Sequence, residues 1–148
     1  MTTATLHVER DLGLEVIVAS WAFEPQRWAH LVRFAEPRVR IPLYADEEFE
    51  VRLLTWLPGQ ASGLHDHGGS SGCMRIIAGT MSESIVNFDG SLVELCHVAG
   101  QTSSFRKDII HSVRNAGNEP AVTIHAYRPP THVAHRYEII EGVLRTSD

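Results

Sequence analysis

The chain has 148 residues, 43% of them hydrophobic and 21% charged, and a net charge of -5 with histidine neutral. That balance suits one globular domain with a real core and excludes a disordered or fibrous chain. The acidic surplus argues against a nucleic-acid binder, which would present a basic surface to phosphates. Two cysteines, Cys73 and Cys96, are too few for a disulfide framework and read as small buried hydrophobes. No apolar run approaches the roughly 20 residues a membrane helix needs, and the N-terminus lacks a basic-then-apolar secretory pattern. A soluble cytoplasmic protein is therefore expected, with no membrane or nucleic-acid partner; composition leaves its oligomeric state open, a monomer included. Lys107 is the only lysine among 13 basic residues, so any anion held by a long cation is held by arginine.

In chain order, residues 1–37 read as an N-terminal helical segment. Leu14–Trp21 and Gln26–Phe34 place apolar residues at helical intervals, and Trp28, Leu31, Val32 and Ala35 can share a face. Pro25 suits the first turn of the second helix. From Phe49 the pattern changes to short β-like runs: Phe49–Leu57, Cys73–Ala78, Met81–Val86, Leu92–Val98, Ser112–Asn115, Ala121–Tyr127 and Arg136–Leu144. Asp89-Gly90 between two of them is a hairpin signal. Many short strands with frequent turns predict an all-β sandwich or barrel. One domain, 1–148, is expected, with the barrel over 38–132 and a C-terminal strand extension over 133–148.

His65-Asp66-His67 is the most informative tripeptide. Side chains two apart on an extended strand project from one face, so two imidazoles at that spacing can share a metal ion. Taken alone, the pair reads equally as surface histidines in a turn, since Gly63, Gly68 and Gly69 flank it. Its surroundings change the balance. Gly59 stands six residues before His65, Gly72 five after His67 and Gly79 seven after that; Gly100 precedes His111 by eleven, and Asn115 follows four later. The spacing resembles the two-part signature of the cupin superfamily, a double-stranded β-helix or jelly-roll barrel. That superfamily's usual glutamate position holds Gly72, which leaves a neutral set of three histidines. Imidazoles suit iron, copper, zinc or nickel, so ligand type alone does not choose the metal. Along the run Ala121–Tyr127, period two puts Thr123, His125 and Tyr127 on one face and Val122, Ile124 and Ala126 on the other. The polar row looks either into a site or out to solvent.

Two segments carry a narrower resemblance: Trp56-Leu-Pro-Gly-Gln-Ala-Ser-Gly-Leu-His-Asp-His-Gly-Gly-Ser-Ser-Gly72, and the run from His111 through His125-Ala-Tyr127 to Pro130. With the stretch from Arg38 they resemble the cysteine dioxygenase (thiol dioxygenase) family. The resemblance implies iron(II) on His65, His67 and His111, with His125 and Tyr127 beside substrate and O2. It implies an arginine for the substrate carboxylate, matched best by Arg40, with Arg38 two residues away as a competitor. Guanidinium forks suit carboxylates. Some members cross-link a cysteine to the active-site tyrosine; the matching position is Gly72, and Cys73 should face the other way, so no cross-link is expected. The implied reaction adds both atoms of O2 to a small thiol, L-cysteine first. Arg128 after the tyrosine resembles the 3-mercaptopropionate branch, which is the alternative; a different metal-dependent cupin oxygenase or a small-molecule-binding cupin are further ones. No role is expected for His7, His30, His97, His132 and His135.

Overall fold

The computed structural model describes residues 12–131 and 134–147. Helix α1 (Leu12–Ala22) turns Leu14, Val18 and Trp21 to one side, and all three are buried, the spacing of an amphipathic helix. The expected second helix is instead two 3-10 turns, Pro25–Arg27 and Ala29–Leu31. Trp28 between them leaves helical geometry, with φ -145° and ψ -19°. Its indole is thereby buried, and its Nε1 donates to the Trp21 carbonyl at 2.8 Å. Burying one large aromatic with its N–H satisfied outweighs the weak helical preference of a short segment.

The strands are β1 (Val39–Ala45), β2 (Glu50–Trp56), β3 (Leu64–His65), β4 (Ser71–Ala78), β5 (Thr80–Val86), β6 (Leu92–Val98), β7 (Thr102–Phe105), β8 (His111–Asn115), β9 (Ala121–Arg128), β10 (Arg136–Ile140) and β11 (Val143–Thr146). They form two antiparallel sheets, ordered β1-β2-β9-β4-β7 and β11-β10-β3-β8-β5-β6. The hairpin expected at Asp89-Gly90 joins β5 to β6, with Gly90 at φ 87°. The run Arg136–Leu144, read as one strand, is folded back at Glu141 and Gly142, whose φ values are 51° and 79°. Two consecutive positive φ values are what a two-residue hairpin turn requires. The resulting β10–β11 pair continues the six-stranded sheet beside β3.

Strand alternation sorts the side chains of the five-stranded sheet into two layers. Val39, Val51, Leu53, Cys73, Val122, Ile124 and Ala126 face outward; most of them, with Leu14, Val18, Trp21 and Trp28, form one buried cluster. Leu54, Trp56, Met74, Ile76 and Tyr127 face inward and meet Met81, Phe105, Ile109 and Val113 in a second cluster between the sheets. Strand β9 is therefore covered on both faces and is the centre of its sheet. The solvent-edge reading of its polar row is excluded: Thr123, His125 and Tyr127 are all buried.

Gly79 makes the tight passage from β4 to β5 at φ 91°, and a Cβ there would lie 2.6 Å from Ala121 Cβ and 2.9 Å from its Cα. Left-handed strain and a backbone clash act together at this position. Gly79→Ala is expected to destabilise the protein by about 2–4 kcal/mol, measured by denaturant unfolding against Gly90→Ala. A Cβ at Gly90, also at positive φ, meets nothing within 4 Å, so only the backbone strain remains there.

Candidate metal centre

His65 closes β3 and pairs in register with His111, the first residue of β8. His67 lies beyond the end of β3, where the chain turns and the Ser70 amide donates to the His67 carbonyl at 3.2 Å. Strand β3 ends at His65 and the turn follows His67, and both rings line the same cavity, as the His-x-His spacing predicts. His67 and His111 are buried and His65 is partly exposed. One nitrogen from each of the three lies within 4.8 Å of the others, and the His67 and His111 Nε2 atoms approach to 3.3 Å.

Hydrogen bonds at the far side of two rings set which nitrogen is free. His65 Nδ1 sits 2.8 Å from the Gly63 carbonyl. As the carbonyl only accepts, Nδ1 carries the proton and Nε2 keeps its lone pair. His111 Nδ1 sits 2.6 Å from Glu83 Oε2, which assigns the same tautomer. Glu83 is fully buried, and its other oxygen accepts from Ser103 Oγ at 2.7 Å and His97 Nε2 at 2.9 Å. Burial opposes its charge, yet the bonds from His111, His97 and Ser103 hold it well below the usual carboxylate range. Burial first, then repulsion from His111, brings His65 down to about 4 and His67 down to about 2. Three neutral imidazoles with converging lone pairs, two of them locked by outer partners, fit a divalent metal ion. The third is held by rings: His67 stacks on Phe105 at 4.9 Å, and its Nδ1 is buried with no hydrogen-bond partner among the described residues.

The polar row of β9 continues from this centre. Trp56 Nε1 donates to Thr123 Oγ1 at 3.0 Å, Thr123 Oγ1 meets His125 Nε2 at 2.7 Å, and His125 Nδ1 meets the Tyr127 hydroxyl at 3.2 Å. An indole only donates. The assignment that satisfies each group in turn has Thr123 donating to His125 Nε2 and His125 Nδ1 donating to Tyr127. The tyrosine proton is then left for the cavity. Burial raises Tyr127 to about 12 and keeps His125 neutral. Gly72 pairs with Tyr127 across β4 and β9; a Cβ at Gly72 would lie 2.8 Å from Tyr127 Cδ1 and 2.5 Å from Phe105 Cε2. Cys73 points to the outer cluster, as expected.

One open cavity is lined by His65, His67, His111, His125 and Tyr127, and by Arg38, Arg40, Arg52 and Arg136. Both arginines expected to compete for a carboxylate therefore reach it. Arg38 is half-buried, lies 4.7 Å over the Trp56 ring and has a buried Nη1 with no hydrogen-bond partner among the described residues; Arg40, further along β1, is exposed. Arg128 is on the other face of β9, 5.9 Å from the Phe49 ring centre, and does not line the cavity. Cys96 is exposed, not the buried hydrophobe expected, because β6 is an edge strand with little cover.

Sequence reasoning gave no role to Glu83 or His97. The signal was present: in Met81-Ser-Glu83-Ser-Ile85 a glutamate occupies the inward, apolar row. His135 was also passed over, and its amide donates to Asp66 Oδ1 at 2.9 Å, while Tyr137 donates to Asp66 Oδ2 at 2.8 Å. The loop carrying two candidate ligands is thereby tied to β10. His7 and His132 lie outside the described residues.

Two expectations follow. Glu83→Gln should lower divalent-metal affinity roughly 10- to 100-fold, read by chelator competition, because the ring it orients is left without an anionic partner. The metal-free protein should also lose stability as pH falls. Between an unfolded histidine at about 6.5 and the folded values of about 4 and about 2 for His65 and His67, the unfolded chain binds protons that the fold refuses. Its melting temperature should be flat above pH 7 and fall through that window. A profile unchanged between pH 7 and 5 would contradict it.

A family model for cysteine dioxygenase type I matches residues 7–139. Cysteine dioxygenase type 1 of Rattus norvegicus is 25% identical over 136 residues, spanning 84% of this chain and 68% of the relative. The Homo sapiens protein of that name gives the same figures, and the Danio rerio one is 28% identical over 127 residues, spanning 77% and 63%. Among solved structures, TT1209 from Thermus thermophilus superposes with a TM-score of 0.61 at 24% identity, over 69% of this chain and 93% of its own. The Schizosaccharomyces pombe Cnp3 cupin domain does so with 0.60 at 11% identity, over 68% and 71%. These structures establish the cupin architecture alone, and the family match establishes the rest: the chain belongs to the cysteine dioxygenase type I family, thiol dioxygenases on a cupin barrel.

Proposed function

We propose that the protein adds both atoms of O2 to the sulfur of a small thiol carboxylate, using iron(II) held by His65, His67 and His111. The observation that carries this reading is the meeting, in one cavity, of three neutral imidazoles, a buried tyrosine hydroxyl and an arginine wall. Bound iron(II) would supply positions for thiolate and O2 and the redox chemistry between them. The protein's own part is electrostatic and geometric. Neutral ligands leave negative charge at the centre to be supplied by the substrate thiolate. Arg40, with Arg38 beside it, receives the carboxylate in a guanidinium fork. Leu54, Trp56 and Val113 give the cavity an apolar side, which strengthens each charge interaction inside it.

Tyr127 acts as a hydrogen-bond donor. Its pKa of about 12 keeps the hydroxyl protonated at neutral pH, and His125 turns that proton toward the reacting oxygen and sulfur. The net change is thiol plus O2 to sulfinate plus a proton, with sulfur oxidised and O2 reduced. L-Cysteine and 3-mercaptopropionate both carry the required thiol and carboxylate. Arg128, facing away from the cavity, gives no support to the second over the first.

The deciding experiment is O2 uptake by the iron-loaded protein with L-cysteine, 3-mercaptopropionate and cysteamine, with sulfinate quantified by mass spectrometry. One sulfinate per O2 is expected from the carboxylate-bearing thiols. Full iron occupancy with no sulfinate from any thiol would overturn the reading in favour of another cupin oxygenase or a binding protein. Tyr127→Phe should lower kcat by about 100-fold with bound iron unchanged, and equal turnover would remove the hydroxyl from the mechanism.

A further inference from the structure

The four sheet edges are not alike. β1 is interrupted by Pro42 and a register shift beside it, and β7 and β11 have four residues each. Proline, irregular pairing and short length are devices that keep an edge from recruiting another strand. β6 has none of them. Its seven residues, Leu92–Val98, pair with β5 without a register shift and include no proline, lysine or arginine. Leu92, Val93, Leu95 and Val98 are each at least 40% exposed, and no described strand pairs with the free side.

The hairpin sets which backbone groups point off this edge. The Asn87 amide donates to the Ser91 carbonyl at 2.8 Å, so antiparallel alternation bonds Val93, Leu95 and His97 to β5. Leu92, Glu94, Cys96 and Val98 turn their N–H and C=O outward. Val98 is already served: its amide donates to Gln101 Oε1 at 2.7 Å, and its carbonyl accepts from the Gln101 amide at 3.0 Å. Leu92, Glu94 and Cys96 have no such partner among the described residues.

We propose that β6 is a self-association edge, through which a second copy of the chain pairs antiparallel about a two-fold axis at Leu95 and joins the two six-stranded sheets into one. The strand is self-complementary in that register. Glu94 exchanges both backbone bonds with the second copy's Cys96, and Cys96 with its Glu94. Leu95 meets Leu95 across the axis, and Leu92 faces Val98 at each end. The neighbouring registers are worse. An axis at Glu94 sets two carboxylates face to face, which is destabilising. One at Val93 puts Leu92 against Glu94, and one at Cys96 calls on the backbone of Val98, which Gln101 occupies. Pairing at Leu95 also lays the second copy's Val93 beside His97, whose side chain is 13% exposed and donates to Glu83. The dimer thereby closes the wet end of the Glu83 network.

The test is sedimentation equilibrium of the full chain from micromolar to millimolar concentration. One short strand pair is a small interface, so reversible dimerisation in the micromolar range is expected. Val98→Lys should weaken it about tenfold or more with the melting curve unchanged. Adding Leu92→Glu to the same chain should restore most of the loss. The two positions face each other across the axis, whereas within one chain they stand at opposite ends of β6 and cannot pair. A covalent readout fixes the register. Facing residues at the axis are a non-hydrogen-bonded pair, with Cα atoms about 4.5 Å apart, within disulfide reach. Leu95→Cys in a Cys96→Ser background should therefore give a disulfide dimer with oxidised glutathione, and Leu92→Cys in that background should not. A monomer across the whole range would overturn the proposal, as would a dimer that Val98→Lys leaves intact. A wild-type dimer that dissolves on adding reductant would also overturn it, because a Cys96 disulfide and not the strand edge would then hold the copies together.

Discussion

One buried carboxylate conditions the whole interior. Glu83 has no exposed surface and stays charged, which is tolerable only because three donors converge on it. Those donors come from different strands: His97 from β6, Ser103 from β7 and His111 from β8. Because β7 belongs to the five-stranded sheet and the others to the six-stranded one, the carboxylate fastens the two sheets at the depth of the three converging histidines. Removing one partner of such a network leaves a desolvated charge and costs about 3–5 kcal/mol. The orientation of His111 is thus a by-product of a contact the fold itself requires.

The five-stranded sheet does the complementary work by division of labour. Its outer face is an ordinary apolar layer under α1. The inner face holds Arg40 from β1 with Arg38 just before it, Arg52 and Trp56 from β2, Gly72 from β4, and Thr123, His125 and Tyr127 from β9. A polar row can be buried there because each member passes its hydrogen bond to the next, from Trp56 to Tyr127. The alternation that makes a strand also makes the site, and a one-residue slip of β9 would turn His125 and Tyr127 toward the helix.

What the sequence made legible follows from how local each signal is. Strand period, the Asp89-Gly90 turn and the two spaced histidine motifs are short-range patterns, and the barrel strands and the three converging imidazoles emerge from them. Strands β1, β3 and β7 escaped because they are short or interrupted by Pro42 and glycines. The second helix failed because Trp28 obeys a partner, Trp21, that no local pattern reveals. Glu83 and Asp66 were invisible for the same reason: the partners that give them a role lie 14 to 28 residues away for Glu83 and, beyond the local Gly68 amide, 69 to 71 for Asp66. Arg38 and Arg40 could be placed on one face from period two, but which of them goes deeper depends on the wall that Trp56 provides.

The tie from Asp66 to His135 and Tyr137 means that the loop between two candidate ligands and the C-terminal hairpin share an equilibrium. Whatever fixes that loop also favours docking of β10 and β11, and by thermodynamic reciprocity a docked hairpin would favour the loop geometry that brings His65 and His67 together. Strands β10 and β11, remote from the three histidines in sequence, would thus report on any ion those histidines hold. Amide exchange along Val143–Thr146 would slow as His65 and His67 are loaded and quicken as they are stripped.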